Sequence, residues 1–171
     1  DAQALGLTTI TSSNIVSLGS LIAAAGSVAA VDTKAELLAL AAPAETNAKA
    51  GVALGVISGY DNATGSTTAV PTVTDFANAG VTGVDTSNLA AVNELIGPAS
   101  AAATDSAAEV QAFVDAINKV RSAAAGSATV PGSLTATDFA ALGLATIDTA
   151  VERALFNQLI AGDGFAAVDT V

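Results

Sequence analysis

The chain has 171 residues, a formal net charge of −11, and no Cys, His, Met or Trp. Without Cys and His it has neither disulfides, nor a zinc site built on those ligands, nor a Ser-His-Asp triad. The 5 basic residues are outnumbered by 16 acidic ones, which disfavours nucleic acid as a partner because phosphate binding depends on Lys and Arg.

The mean hydropathy of +0.59 suggests a membrane protein, but no segment of the chain fits one. A membrane-spanning helix needs about 20 consecutive apolar residues. The longest apolar run, 21–31, is shorter and contains Gly26 and Ser27. Ala accounts for 42 of the 171 residues and raises the mean although it is only weakly apolar. We therefore expect no membrane insertion, and no signal peptide because no basic segment precedes an apolar one.

The first long helix is predicted to begin at Thr33. Thr33 and Glu36 have the S/T-x-x-E spacing of a capping box, in which each residue bonds the backbone of the other. The helix should extend to about Tyr60, with a kink or an interruption at Pro43 because proline cannot donate a helical hydrogen bond. Residues 61–71 are rich in Thr and contain Gly and Pro, which predicts a linker.

A short helix should follow the linker. Thr72 and Asp75 have capping-box spacing, and the helix should extend to about Ala79 and end at Gly80, a residue type suited to a C-terminal cap. Thr135 and Asp138 repeat the capping pattern later in the chain.

A medium helix is predicted next. Asp85 or Thr86 is the expected N-cap, and Gly97-Pro98 should end the helix. Its apolar residues have helical spacing: Leu89, Val92, Leu95 and Ile96.

A long helix should begin at the Ser106 and Glu109 capping box and lead to a linker over 126–132. Its apolar residues lie on one face: Val110, Phe113, Val114, Ile117 and Val120. Together with Phe76, Val81 and Val84, the faces of the medium and long helices should form the core. The Val and Thr content of the linkers leaves short strands as an alternative.

The chain repeats itself. Residues 1–22 align without a gap on 75–96, and seven positions are identical: Asp1/Asp75, Gly6/Gly80, Thr8/Thr82, Ser13/Ser87, Asn14/Asn88, Leu21/Leu95 and Ile22/Ile96. A third copy starts at Asp138 and needs one inserted residue. The spacings 75−1 = 74 and 138−75 = 63 agree with those between the aspartates at 32, 105 and 169, which are 73 and 64. Such a period is typical of tandem arrays.

The predicted fold class is therefore all-α, with tandem repeats of a short, a medium and a long helix stacked in a linear array. Repeat 1 spans 1–66 and is truncated at its N-terminus, repeat 2 spans 67–130 and is complete, and repeat 3 spans 131–171 and is truncated at its C-terminus. These ends suggest a segment of a longer array.

No residue is predicted to be catalytic, to bind a cofactor or to ligate a metal. Asp61-Asn62 and Asp163-Gly164 lack the ligand spacing of a calcium loop, and turn formation explains them better. The recurring aspartates precede or open helices, so capping and the helix dipole account for them. Asn14 and Asn88 should bond the local backbone. The triplet Asn62-Ala63-Thr64 matches an N-glycosylation acceptor, a motif so short that glycosylation at Asn62 stays open.

Three segments carry a resemblance to known proteins: the turn over 79–84, the helix over 88–93 and the helix entry over 105–109. They resemble repeats in very large secreted, adhesin-like or biofilm-associated surface proteins of Gram-negative bacteria. This resemblance implies an extracellular or cell-surface location and transfers no catalytic or ligand residue. The three-helix plan is also loosely similar to albumin-binding modules, which are shorter and rich in Lys.

Three functions follow as hypotheses. The first is a non-catalytic structural protein, a spacer, filament shaft or matrix component that associates with itself through neighbouring repeats or subunits. The second is an adhesin-type binding module that recognises a host protein or a glycan. The third, an enzyme, lacks support because no G-x-G-x-x-G or Walker-type loop occurs in the sequence.

Overall fold

The structure is a computed structural model that describes residues 10–63, 65–124 and 134–163, and these residues form helices and connecting turns without a strand. The α-helices are α1 Ile15–Ala24, α2 Lys34–Ala39, α3 Ala41–Ser58, α4 Val73–Asn78, α5 Leu89–Ile96, α6 Ala107–Ala124, α7 Ala136–Ala141 and α8 Ala150–Asp163. Short 3-10 turns at Val28–Ala30 and Ala101–Ala103 lie before α2 and α6. The all-α prediction is confirmed, and the short-strand alternative is wrong for the described residues.

Several predicted features lie outside the described residues. They are the landmark aspartates Asp1 and Asp169, the 126–132 linker, the boundary between 130 and 131, and the residues Thr64 and Gly164.

The chain divides into two compact units, Asp1–Ala53 and Leu54–Val171, and the division falls within α3. In the first unit a small core holds four buried residues: Ile10, Leu18, Ala41 and Ala44. The predicted interruption near Pro43 is confirmed, since α2 ends at Ala39 and α3 begins two residues before the proline. Pro43 therefore occupies the first turn of α3, where a backbone N–H has no helical partner to lose.

In the second unit, α6 is the central helix and packs against α5, α7 and α8. Its apolar residues Val110 and Val114 are fully buried, as are Val92 of α5 and Phe76 of α4. Further along the unit a second cluster holds Leu134, Phe139 and Ile147, with Val120 and Ile160 packed against it. The predicted core residue Val81 is buried, whereas Val84 is only partly so.

The capping boxes form as predicted at Thr33, Thr72, Ser106 and Thr135. In the box before α4, the Asp75 carboxylate accepts from the Thr72 amide at 2.8 Å while the Thr72 hydroxyl accepts from the Asp75 amide at 3.3 Å. These bonds satisfy amides that the first helical turn leaves without partners. At α2, the hydrogen bonds from the side chain and backbone of Thr33 hold the pKa of Glu36 below its ordinary value.

The predicted N-cap of α5 is wrong. The cap is Asn88 rather than Asp85 or Thr86. The Asp85 carboxylate accepts instead from the amide and hydroxyl of Ser87, at 2.7 and 2.6 Å, and these bonds lower its pKa. Asp85 therefore closes a turn ahead of the helix, and the helix begins only after that turn. The predicted end at Gly97 is confirmed.

In the 61–71 linker, apart from residue 64, hydrogen bonds join residues 61 and 68. The Thr68 hydroxyl accepts from the Asp61 amide at 3.0 Å and donates to the Asp61 carbonyl at 3.0 Å. Next to this clasp, the Asn62 side chain donates to the Glu94 carbonyl at 3.3 Å and lies over Gly97, the cap of α5. The linker is thereby attached to the end of the medium helix.

Gly97→Ala should lower the free energy of unfolding by about 1–3 kcal/mol, because the new methyl group overpacks a filled site. A Cβ at residue 97 would lie 2.7 Å from the Asn62 Cβ, too close for a shift of the side-chain tip to relieve. The φ of Gly97 is −53°, which any residue tolerates, so the clash alone carries the cost. Chemical denaturation followed by circular dichroism measures the loss.

The matched control is Gly97→Ala in an Asn62→Gly background, where the clashing Cβ, Cγ and amide of Asn62 are all absent. We expect the cost of the Gly97 substitution to fall by at least half there. An equal cost in both backgrounds would contradict the proposed contact.

Candidate functional site

The second unit contains a hydrogen-bonded joint centred on Asn88, which is 3% exposed. Its side-chain oxygen accepts from the Asp85 amide at 2.8 Å. Its side-chain nitrogen donates to the Gly83 carbonyl and to the Asn118 oxygen, both at 2.7 Å. The Asn118 nitrogen donates to the same Gly83 carbonyl at 2.9 Å. The joint therefore ties α5, α6 and the turn before α5 together.

Gln111 extends this joint along α6. Its side-chain oxygen accepts from the Thr82 amide at 2.9 Å, and its nitrogen donates to the Thr82 carbonyl at 3.1 Å. Gln111 and Asn118 are seven residues apart, two helical turns, so both side chains lie on the same side of α6. One edge of α6 thus binds the backbone of residues 82 and 83.

The first unit has a related joint at Asn14. Its side-chain oxygen accepts from the Thr11 amide at 2.9 Å, as the Asn88 oxygen accepts from Asp85. Its nitrogen donates to the Glu45 carboxylate of α3 at 2.8 Å. The predicted local bonds of Asn14 and Asn88 are confirmed. Their long-range partners Glu45 and Asn118 were not predicted, because no local pattern marks them.

A second pair of asparagines anchors α5 and α8. Asn93 donates to the Pro71 carbonyl at 2.9 Å. Asn157 accepts from the Leu134 amide at 3.0 Å and donates to the Leu134 carbonyl at 3.5 Å. Proline has no amide hydrogen, so the buried Asn93 oxygen has no hydrogen-bond partner. The two sites thus share a geometry and differ by one hydrogen bond, for a reason visible in the sequence.

An ion pair connects α6 to α7. The Lys119 ammonium lies 2.6 Å from the Asp138 carboxylate, whose side chain is 8% exposed. Burial acts to raise the pKa of Asp138, but hydrogen bonds from Lys119 and Thr135 and the charge of Lys119 outweigh it and leave that pKa lowered. Asp138 was predicted only as a helix cap, so its role in joining two helices is an addition to the prediction.

Lys119→Met should destabilise the chain at pH 7, and the difference from the parent should shrink in acid. Because the folded-state pKa of Asp138 is lowered, its contribution is present above the ordinary Asp pKa of about 3.9. That contribution is lost as the pH falls through the lowered value. Free energies of unfolding measured at pH 7 and near pH 2 test this dependence.

Lys49→Met is the control, since Lys49 pairs with Glu45 at 3.4 Å and both side chains are largely exposed. Such a surface pair contributes about 0.3–0.5 kcal/mol. A pH-independent effect of Lys119→Met, or one no larger than that of Lys49→Met, would contradict the role of the α6–α7 pair.

One side of α8 carries apolar side chains that are exposed to solvent. We call the side chains of Val151, Leu155, Phe156 and Leu159 the α8 face. Val151 is 70% exposed, Leu155 56% and Leu159 57%, and they recur every four residues. Leu155, Phe156 and Leu159 line a groove of about 420 Å³ together with Glu152 and Gln158. An apolar row at this spacing is typical of a helix surface that packs against another helix.

A second groove, of about 670 Å³, lies in the first unit and is lined by Thr11, Ser13, Leu38, Ala41, Ala42 and Glu45. Within the described ranges, no three Asp or Glu side chains converge as a metal site would need. No described helix is both long enough and apolar enough to cross a membrane.

The chain matches no protein-family model, no curated protein and no solved structure.

Proposed function

We propose that the chain is a stretch of tandem three-helix repeats that serves as a non-catalytic spacer or filament-matrix component of a bacterial cell surface. The observation that carries this proposal is the recurrence of one local structure at equivalent positions. α1 and α5 begin at residues 15 and 89, which differ by 74, and α4 and α7 begin at 73 and 136, which differ by 63. These are the spacings of the sequence repeat.

The hydrogen bonds recur with the helices. Asn14 and Asn88 accept from the amide three residues earlier, and Asn93 and Asn157 bond the residue before a capping threonine. Equivalent bonds at equivalent positions favour one structural unit used repeatedly over an irregular helical domain.

α6 supplies the continuity that a spacer needs. It packs against α5 of its own copy and against α7 and α8 of the next copy. Each long helix would thus be shared by two repeats, which is how solenoids bury a core that a single small repeat cannot complete. Self-association through neighbouring repeats follows from this arrangement.

The composition suits the same role. The chain has no His or Cys for acid-base or thiol chemistry, and a charge of −11 favours the solubility of a long polymer. The extracellular location rests on the resemblance to surface-protein repeats. The alternative of a module that recognises a host protein or a glycan draws on the same resemblance, and an adhesin array would use its repeats for both purposes.

Deleting one whole period tests the array. Removing residues 75–137 joins Thr72-Val73-Thr74 to Asp138 and so retains the T-x-x-D capping spacing. We expect this variant to keep cooperative thermal unfolding, with helix content lowered in proportion to its length. The matched control removes 107–137, which deletes α6 and uncovers the helices on both of its sides.

The control should lose cooperative unfolding. Equal damage by both deletions would contradict the repeat. Immunogold labelling of intact cells of the source organism tests the location, and label confined to permeabilised cells would contradict a surface role.

A further inference from the structure

We propose that the α8 face is the docking site for a helix of the α6 type, which would pack on α8 as α6 packs on α5. An α6-type helix means an amphipathic helix that opens with Ser/Thr-x-x-Glu and carries the apolar pattern of α6. This inference rests on the proposed repeat array, and it identifies the chemistry of the partner that extends the array.

α5 and α8 occupy corresponding places in the sequence alignment. Residues 156, 157, 159 and 160 lie 64 positions after residues 92, 93, 95 and 96. The asparagine of each set bonds the residue before the capping threonine of the preceding short helix. α8 is therefore bonded to the residue two positions before α7 as α5 is bonded to the residue two positions before α4.

The two helices differ in what covers them. Val92 of α5 is 0% exposed and α6 packs against α5, whereas the equivalent Phe156 of α8 is 38% exposed. α6 also contacts α8, with Val120 and Ile160 packed on the same core cluster, so one side of α8 is already occupied. The α8 face is the side that remains open among the described residues.

The size of the α8 face favours a single helix as its occupant. Four side chains fall far below the roughly 20–30 residues that each partner contributes to a standard protein–protein interface. An amphipathic helix in an apolar groove is anchored by three or four side chains at i, i+3, i+4 and i+7 spacing. Val110, Phe113, Val114 and Ile117 have this spacing on α6.

The turn before α8 differs from the turn before α5, and this limits what the partner must carry. Gln111 and Asn118 of α6 bind the backbone at residues 82 and 83. The corresponding positions before α8 are 82+63 = 145 and 83+63 = 146, and Thr146 lacks the positive φ of Gly83. The partner helix should therefore be held by its apolar stripe rather than by amide side chains.

A peptide of residues 104–124 is the probe. It is added to the full-length, ¹⁵N-labelled chain at concentrations up to about 1 mM, which detects binding as weak as about −4 kcal/mol. We expect saturable shifts of the amide resonances of α8. Gln111→Ala with Asn118→Ala in the peptide should leave these shifts in place.

Leu155→Glu and Leu159→Glu in the chain should each weaken peptide binding about tenfold or more, because docking would bury an unpaired carboxylate. Both residues are exposed, so the variants should fold as the parent does. Ala154→Glu, an exposed change on the same helix but outside the α8 face, should leave binding unchanged.

Three results would overturn the docking proposal. They are the absence of shifts in α8, shifts that survive Leu155→Glu, and sedimentation that shows a dimer of the chain abolished by Leu155→Glu. The last would identify a second copy as the occupant. If the 75–137 deletion behaves as an array while the peptide fails to bind, the docking inference alone is lost.

Discussion

Phe139→Ala should lower the free energy of unfolding by about 3–5 kcal/mol, the usual cost of removing a buried phenyl ring. Phe139 is 1% exposed and lies at the centre of the cluster formed with Leu134 and Ile147. Val120 of α6 packs against this cluster, so the resulting cavity would open between α6 and the helices that follow it. Urea denaturation followed by circular dichroism at 222 nm measures the loss.

Phe156→Ala is the matched control for this prediction. The two rings meet edge to face, with centroids 5.9 Å apart and planes at 72°. Phe156 is 38% exposed, so its removal should cost only about 1 kcal/mol, mostly from the lost ring pair. Losses of equal size for the two variants would show that the core does not centre on Phe139.

The local parts of the fold were predictable from the sequence because their causes are local. Thr72 and Asp75 bond each other across three residues, and the Gly97-Pro98 pair ends α5. Pro43 was recognised as an interruption, and the break falls just before it because proline fits a first helical turn. Such features need only the spacing of residue types.

The joints between helices were not predictable in the same way. Asn88 and Asn118 are 30 positions apart, and Lys119 and Asp138 are 19 apart. Nothing in either local sequence distinguishes these side chains from solvated polar residues on a helix surface. The N-cap of α5 was predicted wrongly for a related reason. Asp85 and Thr86 are both good capping residues, but Asp85 bonds Ser87 in a turn, and the helix begins after that turn with Asn88 as its cap.

The sequence alignment relates one of these joints to a single difference in sequence. Residues 71 and 134 align, and they are Pro and Leu. Asn157 accepts from the Leu134 amide, whereas Pro71 has no amide hydrogen, and the buried Asn93 oxygen has no hydrogen-bond partner. The alignment alone could not reveal this difference, because only the structure shows which atoms these asparagines bond.

Asn88→Ala should lower the free energy of unfolding by about 2–4 kcal/mol, since it removes three hydrogen bonds at a buried site, each contributing about 1 kcal/mol. The Asp85 amide loses the acceptor that the Asn88 side chain provides, and the Asn118 oxygen loses its donor. The Gly83 carbonyl keeps the bond from Asn118, so the cost should stay below that of removing the whole joint. Urea denaturation of the full chain measures it.

Asn118→Ala and the double variant complete a thermodynamic cycle that isolates the contact. Asn118→Ala alone should cost about 1–2 kcal/mol, because it removes the 2.7 Å bond from Asn88 and its own 2.9 Å bond to Gly83. The double variant should cost less than the two single variants together by about 1 kcal/mol, since each single change already breaks the shared bond. Strict additivity would mean that α5 and α6 are held by their apolar faces alone. A measured coupling would mean that the asparagine pair also fixes how α6 lies on α5.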